Sequence, residues 1–328
     1  MEIRMRVTIS LGLLLFFSAN VIAQNPSCEA DVLVNVVLPD GGLVRDIHED
    51  AFIARRGAEQ LTIRSVDVDA GPRRIVLVVE NGKNVNADAR KVEAGVLRAI
   101  VTNARTVDSF SFLTAIGPRK EVPLGAPREV LLSAIDELSS PSKGSGQARP
   151  ILDAVLEAAT WLQPVQPGDS IVCLTMGLKP DEPKYGSAGK KLTSAGIRLF
   201  GFQLGTWYTG IYSIGVAPGV GMRPAARVDP NHESIFNLAD ETGGFAILEN
   251  TEGGPQQTYK LTDERLRYLV KYAGQLYKGI TNYYRIRVVS PPENFVIDLS
   301  ESVREKVPKA YMVYARKTPI LFIDRTAN

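Results

Sequence analysis

Between Arg74 and Leu248, short and nearly unbroken apolar runs alternate with stretches of helical periodicity, and no other feature of the chain constrains its fold so tightly. A strand that is apolar on both faces has to be covered on both faces, and the simple cover is a helix crossing over between parallel neighbours. The runs lie at 75–79, 110–115, 171–175, 197–204 and 245–248. Between the first two, Ala89, Val92, Val96, Leu97, Ile100, Val101 and Ala104 share one helical face, and further helices are predicted at 130–138, 151–161, 188–195 and 235–242. A last helix follows Thr262 as N-cap, with Asp263 and Glu264 in its first turn and Leu266, Leu269, Val270, Ala273 and Tyr277 on one face. Gly279 is placed to stop it. The fold class is therefore α/β, with a doubly wound sheet.

The flanks have a different texture. Val32, Val34, Val36 and Leu38 alternate, Pro39-Asp40-Gly41-Gly42 signals a turn, and 61–66 reads as another strand. After the last helix, strands are predicted at 284–289, 295–299 and 311–314, interrupted by Pro291-Pro292. Neither flank holds enough residues for a core of its own, so the two are expected to pair into a small β-sandwich with the α/β block inserted between its halves. The expected boundaries are 24–70 for the N-terminal β segment, 71–280 for the insert and 281–328 for the C-terminal β segment.

Residues 1–23 have the three-part design of a cleavable secretory signal: Arg4 and Arg6, an apolar run over 7–17, then small and polar residues ending at Ala23. The apolar run is shorter than the roughly 20 residues that cross a bilayer, and no later stretch is long enough. Cleavage is expected after Ala23, giving a periplasmic or secreted protein with no integral membrane segment. Removing those residues takes away two Arg and one Glu and leaves 36 basic against 35 acidic residues, a balance that gives no reason to expect nucleic acid as a partner. The two cysteines, Cys28 and Cys173, exclude a disulfide-stapled scaffold but allow one bridge; Cys173 lies in an apolar run and reads as an inert core thiol.

Several segments taken in order resemble a von Willebrand factor A domain. An apolar first strand runs into a polar turn in Arg74-Ile-Val-Leu-Val-Val-Glu-Asn-Gly-Lys-Asn84. Leu152-Asp153-Ala154 begins a helix after the glycine-containing loop 144–146. Ser170-Ile-Val-Cys-Leu-Thr-Met-Gly177 is similar to the fourth strand and its turn, and Leu238-Ala-Asp-Glu-Thr-Gly-Gly244 to the junction before the sixth. The flanks, with Gly42-Leu43-Val44, Glu49-Asp50-Ala51-Phe52 and Tyr314-Ala-Arg-Lys317, are similar to the von Willebrand factor A-related proteins of the Acidobacteria type.

The resemblance implies a metal-ion-dependent adhesion site in which DxSxS after the first strand, a later Thr and an Asp after the fourth strand hold Mg²⁺ or Mn²⁺. Such ions need hard oxygen ligands in octahedral array. Here Glu80 stands at the first Asp, Gly82 and Asn84 replace the two Ser, Arg149 falls near the Thr and Met176 replaces the last Asp. Gly82 offers no side-chain ligand, Met176 a soft sulfur and Arg149 a positive charge, so the site is degenerate and no cofactor is expected. Arg149 or Lys83 could instead pair with Glu80 and stand in for the ion.

Other chemistry finds no support. His48 and His232 have no ligand spacing, Ser145 and Ser213 lie in no GxSxG elbow, and Gly186-Ser-Ala-Gly-Lys190 lacks the first Gly and the Ser or Thr of a phosphate loop. No GxGxxG follows the first strand. Asp67 and Asp69 read as a solvated strand face or turn. The loop Thr206-Trp-Tyr-Thr-Gly-Ile-Tyr212 would bring aromatic anchors to the ligand face of an open α/β sheet. These readings together predict a non-enzymatic module that binds another extracytoplasmic protein through Glu80, Asn84, Arg149, Trp207, Tyr208 and Tyr212. The alternatives are a metal-dependent adhesin with atypical ligands and an extracytoplasmic hydrolase with an unrecognised site.

Overall fold

A computed structural model describes residues 29–37, 43–82, 85–139, 150–178, 184–204, 233–249, 263–292, 294–306 and 311–313. The signal segment 1–23, Cys28, the turn 39–42, Lys83, Asn84, the loop 144–149, the aromatic loop 206–212, His232, Thr262 and Tyr314 lie outside them.

The N-terminal flank forms β1 (Glu29–Val37), β2 (Phe52–Arg56), β3 (Glu59–Leu61) and β4 (Ile63–Val68). The central block follows as β5 (Arg74–Glu80), α1 (Ala87–Thr102), β6 (Ser109–Ala115), β7 (Glu121–Val122), α2 (Arg128–Asp136), α3 (Ile151–Trp161), β8 (Ser170–Thr175), α4 (Tyr185–Ala195), β9 (Arg198–Leu204), α5 (Ile235–Glu241), β10 (Ala246–Glu249) and α6 (Asp263–Thr281). The chain then returns through β11 (Tyr284–Val289), β12 (Val296–Leu299), α7 (Glu301–Lys306) and β13 (Tyr311–Val313). Among the described residues, no helix is long and apolar enough to cross a membrane.

The six central strands run in the order β10-β9-β8-β5-β6-β7, parallel except for β7, which pairs antiparallel with β6. Numbered within the block, this is the doubly wound order 3-2-1-4-5-6, with its switch point between β5 and β8. The apolar runs are what this arrangement demands. On β5, Ile75, Leu77 and Val79 face the core under α1, α2 and α6, and Val76 and Val78 face the core under α3, α4 and α5. Cys173 is buried in the second core as a free thiol, and that burial pushes its pKa up and keeps it protonated.

The flanks pair with each other. β1 runs antiparallel to β11 with Val32 opposite Ile286, and β13 extends that sheet on its other edge in the order β13-β1-β11-β4. A second sheet, β12-β2-β3, places Ile297 opposite Ala54. Val32, Val34, Phe52, Tyr284, Ile286 and Ile297 share one core between the two sheets. Val68 and Tyr284 are directly paired, so the chain leaves for the central block and returns from it at neighbouring points.

Several expectations change. β1 is buried on both faces rather than one, because Val37 joins the core of the central block and Asn35 is bonded into it. Helix α6 passes through Gly279 instead of stopping there. The glycine is needed for packing, since a Cβ at that position would come within 2.4 Å of the Phe245 ring. β2, β7 and α7 add elements beyond those predicted, and the predicted strand at 61–66 divides into the end of β3 and the start of β4.

Candidate functional site

At the switch point, the chain passes from β5 to α1 on one face of the sheet and from β8 to α4 on the other, which is the place where open α/β sheets have the crevice that carries their ligands. The loop after β5 comes first. Asn81 continues the sheet by donating its backbone N–H to Ala115 O at 2.8 Å, and the Gly82 carbonyl accepts from Val85 N at 3.2 Å to close a turn. Asn86 then caps α1, its Oδ1 accepting from Ala89 N at 2.8 Å.

Gly82 is required by its neighbours: a Cβ there would lie 2.7 Å from Ile116 Cγ2 and 3.2 Å from Ile116 O. The place that a serine side chain would take in the expected metal motif is thus filled by Ile116.

Arg90, one turn into α1, bends back beneath this loop and is buried. Its Nε donates to Val85 O at 3.0 Å, its Nη2 to Gly82 O at 2.9 Å, and its Nη1 to Asn81 Oδ1. One planar guanidinium therefore fixes three points of the loop. Arg90 is a buried cation at this loop, bonded to Asn81, Gly82 and Val85; Lys83 and Arg149, which the sequence suggested as partners of Glu80, lie outside the described residues.

Glu80, at the end of β5, is buried. Its Oε2 accepts from Thr175 Oγ1 at 2.8 Å and from the backbone N–H of Met176 at 2.9 Å, and Thr175 Oγ1 in turn accepts from Gly177 N at 3.0 Å. The carboxylate thus ties β5 to the end of β8 across the switch point. Met176 packs against the first core.

A second carboxyl, Glu93 on α1, is fully buried, and its Oε1 has no hydrogen-bond partner. Burial holds the Glu93 carboxyl well above the usual range; the charge of Glu80 adds to this, and Arg90 opposes it. The neutral acid is the form this environment favours.

The residues here do not fit Mg²⁺ or Mn²⁺. Glu80 is engaged by Thr175 and Met176, Gly82 is closed by Ile116, Met176 supplies sulfur, and a guanidinium already serves the loop's acceptors. Among the described residues, no cluster of three or more His, Cys, Asp or Glu is placed to hold a metal ion. Of the residues singled out from sequence, Glu80, Gly82 and Met176 come together at the crevice, while Asn84, Arg149, Trp207, Tyr208 and Tyr212 lie outside the described residues.

No protein-family model and no curated protein matches the chain. Among solved structures, a von Willebrand factor type A protein from Catenulispora acidiphila is 9% identical, with a TM-score of 0.44, and the match covers 92% of this chain and 76% of that one. An aerotolerance-related membrane protein from Bacteroides fragilis is 14% identical, with a TM-score of 0.43 over 63% of this chain and 98% of that one. Proximal thread matrix protein 1 of the mussel byssus, with a zinc-occupied adhesion motif, is 19% identical, with a TM-score of 0.35 over 43% of this chain and 38% of that one.

Scores of this size do not decide a fold by superposition; the chain's own sheet does, through its 3-2-1-4-5-6 order, its antiparallel third strand and its helices on both faces. The inserted block has an A-type fold, as the resemblance to von Willebrand factor A domains implied. In this A-type domain, the residues missed from sequence are Arg90, Glu93, Thr175 and Asn81. Arg90 and Glu93 left a trace, because they fall among Ala89, Val92, Val96 and Leu97 on the face of α1 that is otherwise apolar.

At the opposite end of the sheet, the A-type domain is bound to the sandwich. Asn35 on β1 donates to Gly279 O at 3.0 Å and Asn282 O at 3.1 Å, and its Oδ1 accepts from Arg198 Nη1 at 3.0 Å. Arg198 also donates to Ile280 O at 2.9 Å. The Tyr283 ring lies between two guanidinium groups, 4.2 Å from that of Arg198 and 4.7 Å from that of Arg73. Burial lowers the pKa of Arg198 to about 10, which leaves it charged at neutral pH.

Asp69 is not a solvated turn residue. It accepts from Tyr283 Oη at 2.8 Å and from Gly71 N at 2.8 Å. Burial acts to raise its pKa, but those bonds and Arg73 outweigh it and hold the carboxyl below its ordinary value.

Proposed function

We propose that the protein is exported and acts outside the cytoplasm as a non-enzymatic binding or assembly module, whose A-type domain offers a loop face to another protein without a metal ion. The division at 24–70, 71–280 and 281–328 belongs to this reading, with the sandwich carrying the A-type domain. The supporting observation is the inward use of the groups at the crevice. Glu80 is engaged with the end of β8, and Arg90 bonds Asn81, Gly82 and Val85, so the loop is fixed by the chain's own side chains. A face built from loops 80–84, 144–149, 176–186 and 206–212 leaves Asn84, Arg149, Trp207, Tyr208 and Tyr212 as its contact candidates, with the buried Glu80 supporting the face from within. Aromatic side chains on such a face are the usual energetic anchors of a protein interface.

Two measurements test the reading. Calorimetry with Mg²⁺, Mn²⁺ and Ca²⁺ should give no binding heat and no change in melting temperature; a saturable heat with any of them would restore a metal-dependent adhesin. Cross-linking in the periplasm or medium should recover partners that a Trp207→Ala, Tyr208→Ala variant loses. Unchanged partners would remove this face from consideration.

A further inference from the structure

A cavity of about 380 Å³ opens where the sandwich meets the A-type domain, at the end of the sheet away from the crevice. Its wall combines Arg45 from the segment between β1 and β2, Asn103 and Arg105 beyond α1, and Tyr277, Lys278 and Asn282 at the end of α6. Among the described residues, no carboxylate lines it. Asp108 lies buried against Arg105 and Tyr277 of this wall and is engaged there: it accepts from Arg105 Nε at 3.1 Å, from Arg105 Nη2 at 2.7 Å and from Tyr277 Oη.

Cations at helix C-termini commonly serve the last carbonyls of the helix. Here side-chain amides do that work. Asn103 Nδ2 donates to Ala99 O at 2.8 Å, and Asn282 Nδ2 to Lys278 O at 3.1 Å. Arg45 and Lys278 are both exposed, and neither forms an ion pair with another described residue. Among the described residues, two positive charges therefore stand at the cavity without an ion-pair partner.

The floor of the cavity points the same way. Gly274 sits inside α6, where glycine costs about 1 kcal/mol relative to alanine. Packing against the described residues does not explain it, because a Cβ at Gly274 would meet none of them within 4 Å. The open volume is in the range of small-molecule sites, and a domain boundary is a common place for one.

We propose that this cavity binds a small organic phosphate. Its dianionic head sits between Arg45 and Lys278 with Arg105 behind, and its organic body lies over Gly274 beside Tyr277. Such a ligand would bridge the two domains, since Arg45 belongs to the sandwich flank and Lys278 to the A-type domain. The inference is independent of whether the crevice face binds a protein.

The test follows the melting temperature of the full chain at fixed ionic strength, with phenyl phosphate, inorganic phosphate and phenol as probes. Phenyl phosphate should raise it saturably. Inorganic phosphate should do so less, phenol not at all, and the phenyl phosphate effect should weaken below about pH 6, where the head becomes a monoanion. Arg45→Ala and Lys278→Ala, at exposed positions, should each weaken binding about tenfold. Gly274→Leu should abolish binding by filling the floor with every charge kept. Absence of a saturable rise, or a rise that survives in the Arg45→Ala, Lys278→Ala double variant, overturns the site. An equal rise with inorganic phosphate overturns the organic body.

Discussion

At the crevice end of the central sheet, Arg90 is satisfied by acceptors no more than nine residues away in sequence. At the opposite end, Arg198 reaches Asn35 and Ile280, 163 and 82 residues away, and shares the Tyr283 ring with Arg73. Both guanidinium groups are buried. The difference lies in what each holds. A local clasp orders one loop and can loosen while the sheet stays intact, whereas a long-range clasp joins parts of the chain that come together only when both domains have formed. The first fixes the shape of one loop, and the second holds the sandwich against the central block.

The largest expected effect tests the joint. Tyr283→Ala removes a buried ring, its bond to Asp69 and the aromatic face against which both the Arg73 and Arg198 guanidinium groups lie. It should cost about 3–5 kcal/mol in urea unfolding. Arg90→Met keeps most of the volume but leaves Asn81 Oδ1 and the Gly82 and Val85 carbonyls to find other donors, at a cost of about 2 kcal/mol. Hydrogen exchange should then quicken from Asn81 to Ala89 and stay unchanged in β1 and β11. If Arg90→Met were as costly as Tyr283→Ala, or its effect on exchange reached β11, the contrast between local and long-range clasps would fail.

A third prediction concerns the acid beside Arg90. Glu93 is held protonated well above its ordinary value of 4.5, so the folded chain keeps a proton that the unfolded chain gives up. The stability due to that proton is fully present below the unfolded value and is lost as pH rises through the folded one. Glu93→Gln cannot ionise. Its advantage over the natural chain should be absent in acid and grow as pH rises toward and through the folded value. Parallel melting curves across that range would show it, and a difference that is flat with pH would mean that Glu93 does not titrate with folding.

How much of this could be read in the sequence depended on whether the physical cause was local. β5, β6, β8 and β9 are legible because cover on both faces forces apolar runs, as in Ile75 to Val79. β7 is two residues long and has no pattern to detect. Gly279 resembles a helix stop in sequence, and only the Phe245 ring against it explains why the helix continues.

At the candidate site, Glu80 and Gly82 stood out through their motif positions, but the partners that define their roles, Thr175 and Ile116, come from other strands and turns. Asp69 looked solvated because Tyr283, its hydrogen-bond donor, lies 214 residues away. Charged residues inside an apolar helical stripe, as at Arg90 and Glu93, were the one site signal that sequence carried and that reading by motif passed over.

The smallest effect separates the joint from the cavity beside it. Gly274→Ala adds a methyl group that meets nothing within 4 Å and removes backbone freedom from the unfolded chain. It should stabilise the protein by about 0.4–1 kcal/mol, read as a small rise in melting temperature. The Tyr283 stack and the Asn35 bonds are untouched by it, so the gain should add to the loss from Tyr283→Ala in the double variant within about 0.5 kcal/mol. A destabilising Gly274→Ala would show that this stretch of α6 is packed more closely than the open floor implies. Strong coupling to Tyr283 would show that the cavity wall and the joint move as one piece, so that a ligand held by Arg45 and Lys278 would act on the domain boundary itself.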